Sequence, residues 1–267
     1  MDSWLISKVS WLLSYANSTC GLCQQIFGAI FGAIATAVVP PTISWISWKY
    51  RVSAFHKVFQ IGNRAEITCI IPSIDFPEFD QPEYLTYATP FESVFFFKNF
   101  RPFAKQLGVN QDSVRIRLSK EAEDDDLQRN LFCLGGPIHN DISAVLLEEV
   151  RHEVSFVGHD LICPNRTGKT RYSAEIENNQ IKTDVALLMV TPNPSNSEKK
   201  AILLAGCRGY ASIPIFGHIC KHSTIKELGR KRKPGNSKHF FAVYTVRLRH
   251  STTMTYHSIK LEDVWTA

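Results

Sequence analysis

Residues Ile26 to Trp48 read IFGAIFGAIATAVVPPTISWISW, 23 positions without a charged side chain. As a helix, that length is enough to cross the hydrocarbon core of a bilayer. Lys49, Arg51, His56 and Lys57 follow at once, the flank expected at a cytoplasmic end. Trp45, Trp48 and Tyr50 cluster at the same end, and such rings favour the headgroup layer. The reading is a transmembrane helix within an N-terminal membrane anchor, residues 1–50. Its location is the inner (cytoplasmic) membrane, with the following domain on the cytoplasmic side and the lipid bilayer as first partner.

Trp4–Tyr15 is too short to span and places Leu5, Val9, Leu12 and Leu13 at helical spacing. This suits an interfacial amphipathic helix. A short first span remains the alternative, so one or two membrane passes stay open. Gly28 and Gly32 form a GxxxG, with Ala29, Ala33 and Ala37 at four-residue spacing. Small residues let helix backbones approach, and a homo-oligomer through Gly28 and Gly32 is expected.

After a connector at 51–64, residues 65–267 alternate between strand-like and helix-like runs. Expected strands are Ala65–Ile74, Ser113–Ser119, Asn130–Gly136, Thr183–Thr191 and Lys200–Gly206. Expected helices are Phe91–Leu107, capped at Thr89 and kinked or broken at Pro102, then Ile138–Val150 and Ser212–Leu228. Residues 151–182 read as an insertion with short strands, and the chain closes with two alternating runs joined at residues 251–253. The fold class is therefore α/β. It reads as a three-layer sandwich with a mainly parallel sheet and a C-terminal antiparallel hairpin.

Net charge is +5. That suits anionic lipid or a phosphate-bearing ligand. The acidic run EAEDDD (121–126) reads as a loop with solvated charge at a helix start, and the basic run GRKRKPGNSK (229–238) reads as a solvated loop. For the basic run, lipid contact ranks next and nucleic acid last. Seven cysteines without regular spacing read as free thiols, with no disulfide framework. His218, Cys220 and His222 lack a second ligand cluster, so neither a metal nor another cofactor is expected.

In sheets of this kind, ligands bind beyond the carboxyl ends of the strands. Two glycine-bearing strand ends stand out: Gly135-Gly136-Pro137-Ile138-His139-Asn140, and Gly206-Cys207-Arg208-Gly209. Gly135, Gly136 and Gly206 would allow close approach of a ligand, Asn140 would read a sugar or base edge, and Arg208 would pair with phosphate. Neither is a Walker A loop or a GxGxxG fingerprint. Asp184, Asp141 and Glu148 are the carboxylates available to an enzyme that cleaves an N-glycosidic bond, and whether the chain is an enzyme stays open.

NLFCLGGPIHN, TDVALLMVTPNPSN and KKAILLAGCRGYAS resemble segments of an uncharacterised bacterial Rossmann-like domain. Its marks are a strand ending GGP with a nearby Asn, an NP turn, and a strand ending LLAG with a later Gly. The resemblance covers residues 65–250 and carries no established chemistry. The layout also resembles membrane-anchored effectors of nucleotide-signalling antiphage systems. That implies a sensor or effector of a nucleotide-like ligand in antiviral defence. The alternative is a membrane-tethered enzyme acting on a nucleotide or nucleoside.

Overall fold

The computed structural model describes residues 21–62, 65–73, 88–166, 168–232, 237–249 and 256–267. The expectation for Trp4–Tyr15 lies outside them. The chain divides into two compact units, residues 1–50 and 51–267.

Helix α1, Gly21–Phe59, contains Pro40 and Pro41. The surroundings of Gly28 and Gly32, and most side chains before Val39, lie outside the described set. Among the described residues, no helix is long and apolar enough to cross a membrane.

The second unit is built on an eight-stranded sheet. Its strands are β1 (Ile67–Ile71), β2 (Val114–Leu118), β3 (Asn130–Leu134), β7 (Glu175–Glu177), β8 (Gln180–Asn193), β9 (Asn196–Gly206), β10 (Phe240–Leu248) and β11 (Tyr256–Thr266). The main order is β11-β10-β8-β9-β3-β1-β2, with β7 paired to β8. The run β9-β3-β1-β2 is parallel. The antiparallel portion starts at β8, because β8 and β9 form a hairpin across Asn193–Asn196, and it continues through β10 and β11. Between β3 and β8 lie three short strands, β4 (Ser155–Val157), β5 (Asp160–Ile162) and β6 (Arg171–Tyr172), which form a separate sheet.

Alternation along the strands divides the core between two faces. Phe132, Leu134, Leu188, Ile202, Leu204 and Phe240 point to one side. Leu131, Cys133, Leu187, Leu203 and Phe241 point to the other. The first side is covered by α2 (Ala88–Gln106), α5 (Ser212–Ile219) and α6 (His222–Lys231). Here Phe96, Phe100, Phe103, Phe132 and Phe216 interlock with ring centroids 4.5–6.1 Å apart. The opposite side is covered by α4 (Asp141–Glu148) and the β4–β6 insertion.

Several local expectations change. α2 already includes Thr89 and runs unbroken through Pro102. A proline in a helix interior costs about 3 kcal/mol. Burial of Phe96, Phe100, Phe103 and Ala104 on either side outweighs it. Ile138–Val150 forms a shorter helix because Asn140 caps it. Ser212–Leu228 divides into two helices around Cys220 and Lys221. The connector belongs to the core: Val52, Phe55, Val58, Phe59 and Ile61 are all buried.

Both charge runs carry structure. Asp126, in the short helix α3 (Asp124–Leu127), is fully buried. It accepts from Arg115 Nη1 at 3.1 Å and Arg117 Nε at 2.9 Å, so α3 neutralises the arginines of edge strand β2. Burial raises the Asp126 pKa, yet the two arginines outweigh it and hold the carboxyl below its ordinary range. In the basic run, Arg232 is buried over the Phe240 ring and donates to the Val58 carbonyl near the end of α1.

Candidate functional site

The connection after β1 places α2 on one face of the sheet, and the connection after β3 places α4 on the other. β1 and β3 are neighbours. Chains that leave adjacent parallel strands toward opposite faces part at the carboxyl ends and leave a crevice. A cavity of about 310 Å³ lies there, lined by Ser73 after β1, Ser119 and Lys120 after β2, and Ile138, His139 and Asp141 after β3.

Its floor is a pair of hydroxyls. Ser119 Oγ lies 3.0 Å from Ser73 Oγ. Lys120 N–H donates to Ser73 Oγ at 2.9 Å, and Ser73 N–H donates to Ser119 Oγ at 3.3 Å. Two hydroxyls carry two protons, and their mutual bond uses one. The pair therefore keeps one O–H to offer an acceptor. Ser73 N–H also reaches the His139 carbonyl at 3.0 Å, which joins the β1 and β3 loops.

The sequence-selected residues divide into three groups. Asn140 is fully buried and fully engaged. Its Oδ1 accepts from Ile142 and Ser143 N–H at 3.1 Å, and its Nδ2 donates to the carbonyls of Leu134 at 2.9 Å and Ile70 at 3.4 Å. It caps α4 and ties β1 to β3, and it takes the helix N–H groups that a phosphate would have used.

The glycines serve close packing of the chain. Gly135 has φ +89°, and a Cβ there would lie 2.7 Å from Pro72 Cγ. A Cβ on Gly206 would meet Ser212 Oγ at 3.0 Å and the Gly209 backbone at 3.2 Å. Gly136 is looser, with only the Gly206 carbonyl at 4.0 Å. The two glycine-bearing ends thus adjoin, as adjacent strands require, but their polar side chains diverge.

Arg208 and Asp184 form a separate constellation. Asp184 is fully buried. It accepts backbone N–H groups from Val185 at 2.8 Å, Arg208 at 3.1 Å and Ala211 at 2.8 Å. Burial pushes its pKa up to about 6 against the pull of those three donors. The carboxylate organises the turn after β9 and does not line the crevice. Arg208 Nε is buried without a hydrogen-bond partner, and its charge helps lower the pKa of Asp160, after Ser173 and Arg171. Glu148 pairs with Arg151 at 2.7 Å on the surface. Of the three carboxylates, Asp141 alone lines the crevice.

Ser73, Ser119, Lys120 and His139 escape sequence reasoning because three separate loops bring them together. The one available signal is their place at or just past the carboxyl ends of strand-like runs. Among the described residues no group of three or more His, Cys, Asp or Glu side chains is placed to hold a metal. A second hollow of about 340 Å³ runs past Lys231 and Leu261–Val264 on β11, and Asp263 there is already paired with Arg166.

No protein family, no curated protein and no solved structure matches this chain.

Proposed function

We propose that residues 51–267 bind a small anionic, nucleotide-like ligand in the β1–β2–β3 crevice, and that the N-terminal apolar run ties the chain to a membrane. The protein then acts as a membrane-anchored sensor or effector, in the manner of the antiviral effectors its layout resembles. The sheet is read as Rossmann-like on the same ground.

The observation that carries the ligand reading is the crevice at the divergence of β1 and β3, floored by a hydroxyl pair with a proton to donate. Lys120 and His139 add cationic and hydrogen-bonding capacity at its rim. The membrane reading rests on the uncharged run Ile26–Trp48 and its basic flank. The second reading, cleavage of an N-glycosidic bond, now rests on Asp141, the carboxylate at the crevice.

Calorimetric titration of the full chain with a panel of nucleotides tests both readings. Lys120→Met removes a charge-assisted contact, which typically contributes about 1.5–3 kcal/mol. Binding should weaken roughly ten- to hundredfold. Arg208→Ala, outside the crevice, should bind as wild type does. Equal affinity in Lys120→Met, or a loss confined to Arg208→Ala, moves the ligand away from this crevice. Chromatography of the titrated mixtures separates the two readings: released base that disappears with Asp141→Asn favours the enzyme.

A further inference from the structure

The described part of the first unit presents an unusual surface. From Val39 to Tyr50 no residue of α1 is buried. Six large apolar side chains are concentrated there: Val39, Ile43, Trp45, Ile46, Trp48 and Tyr50, exposed by 44 to 74 %. At 100° per residue, Val39, Ile43, Ile46 and Tyr50 lie along one side of the helix, and Trp45 and Trp48 lie along the other.

That distribution identifies the occupant. A partner helix covers a stripe, as the a and d positions of a coiled coil do. A helix apolar on all sides suits a surrounding apolar solvent. The composition then sets the depth. Ser44 and Ser47 interrupt the apolar positions, the indoles and the phenol bear polar tips, and Lys49 Nζ lies 5.0 Å from the centroid of the Trp45 ring. Amphipathic rings beside an ammonium fit the headgroup layer better than the hydrocarbon centre.

We infer that Trp45–Tyr50 is the headgroup seat of the chain, with Trp45 and Trp48 at the boundary between lipid and water and the aliphatic Val39 and Ile43 on the hydrocarbon side of it. This rests on the membrane reading above and adds to it a depth and a set of contact residues.

The test uses the full chain with phosphatidylcholine vesicles. Flotation reports membrane association. The emission of Trp45 and Trp48 is isolated by difference from the Trp45→Phe/Trp48→Phe variant. The seat predicts flotation, a blue shift of that emission on adding vesicles, and stronger quenching by lipids brominated near the headgroup than by lipids brominated near the chain ends. A chain that floats while its two indoles stay open to aqueous iodide overturns the seat and leaves the anchor reading intact. Deeper bromines quenching more strongly overturns the depth. Indoles shielded from iodide before any lipid is added assign the surface to a second copy and overturn the lipid assignment. Failure to float overturns the seat and the anchor reading together.

Discussion

At the scale of single residues, the sequence exposes chemical character but conceals commitments. Asn140 looks like a ligand reader because an amide beyond a GGP turn has four hydrogen-bonding positions to offer. All four are taken by the chain itself, two of them by carbonyls six and seventy residues away. Asp184 is similar: a carboxylate at a strand start, spent on three backbone donors. Its titration is measurable. The folded pKa of about 6 lies above the ordinary 3.8, so folding disfavours the charged form. Stability from this group is fully present below about pH 4 and is lost as pH rises through about 6, a change of about 3 kcal/mol. In Asp184→Asn the dependence disappears. Relative to the variant, wild-type protein should therefore lose stability between these pH values in urea titrations. A constant difference across that range would show that Asp184 titrates normally. The glycines make a second pair of predictions. Gly135→Ala meets both a positive φ and the Pro72 ring, and should cost about 2 kcal/mol or more. Gly136→Ala has open space and should stay within about 1 kcal/mol of wild type. Equal midpoints for the two variants would refute the contact with Pro72.

At the scale of elements, strands were more legible than helices. NLFCL and AILLAG hold continuous apolar runs, the pattern of strands buried on both faces, and both lie in strands where expected. Helix ends were misplaced because tertiary packing decides them. The Phe96, Phe100 and Phe103 cluster carries α2 through Pro102, and the Asn140 cap delays α4. The EAEDDD run does open a helix, but the burial of Asp126 is hidden for a related reason, since nothing local announces that Arg115 and Arg117 on β2 will meet it. This element-level ion pairing predicts that Asp126→Ala destabilises more than Asp125→Ala. Asp126 is buried between two arginines, and losing such bonds costs about 1.5–3 kcal/mol. Asp125 is exposed, with Arg115 and Arg129 as its partners, and solvent screens such surface pairs so that little is lost with them. Chemical denaturation of the two variants decides the order, and equal losses would mean that Asp126 is wetter than its burial implies.

At the scale of the whole molecule, the second compact unit begins earlier in the chain than composition implies. Residues 51–64 read as a connector because the first strand-like run starts at Ala65. In the structure the last turns of α1 fill the same face of the sheet as α2 and α6. Val52, Phe55, Val58, Phe59 and Ile61 are at most 4 % exposed. Phe55 and Phe59 contact Phe103 at ring-centroid distances of 6.0 and 5.7 Å. His56 Nε2 bonds the Leu107 carbonyl at 2.9 Å, and Arg232 closes on Val58 from the other side. Burying one such side chain contributes about 1.5–3 kcal/mol, so the five together contribute on the order of 10 kcal/mol. A domain of this kind has about 5–15 kcal/mol of net stability. Removing the segment therefore removes most or all of it, and leaves Phe103, Leu107 and Arg232 facing water. A fragment beginning at residue 51 should unfold in one cooperative transition and show sharp near-ultraviolet dichroism. A fragment beginning at residue 65 should aggregate, or bind a hydrophobic dye without a cooperative transition. If the shorter fragment unfolds cooperatively within about 2 kcal/mol of the longer one, the segment is only a tether.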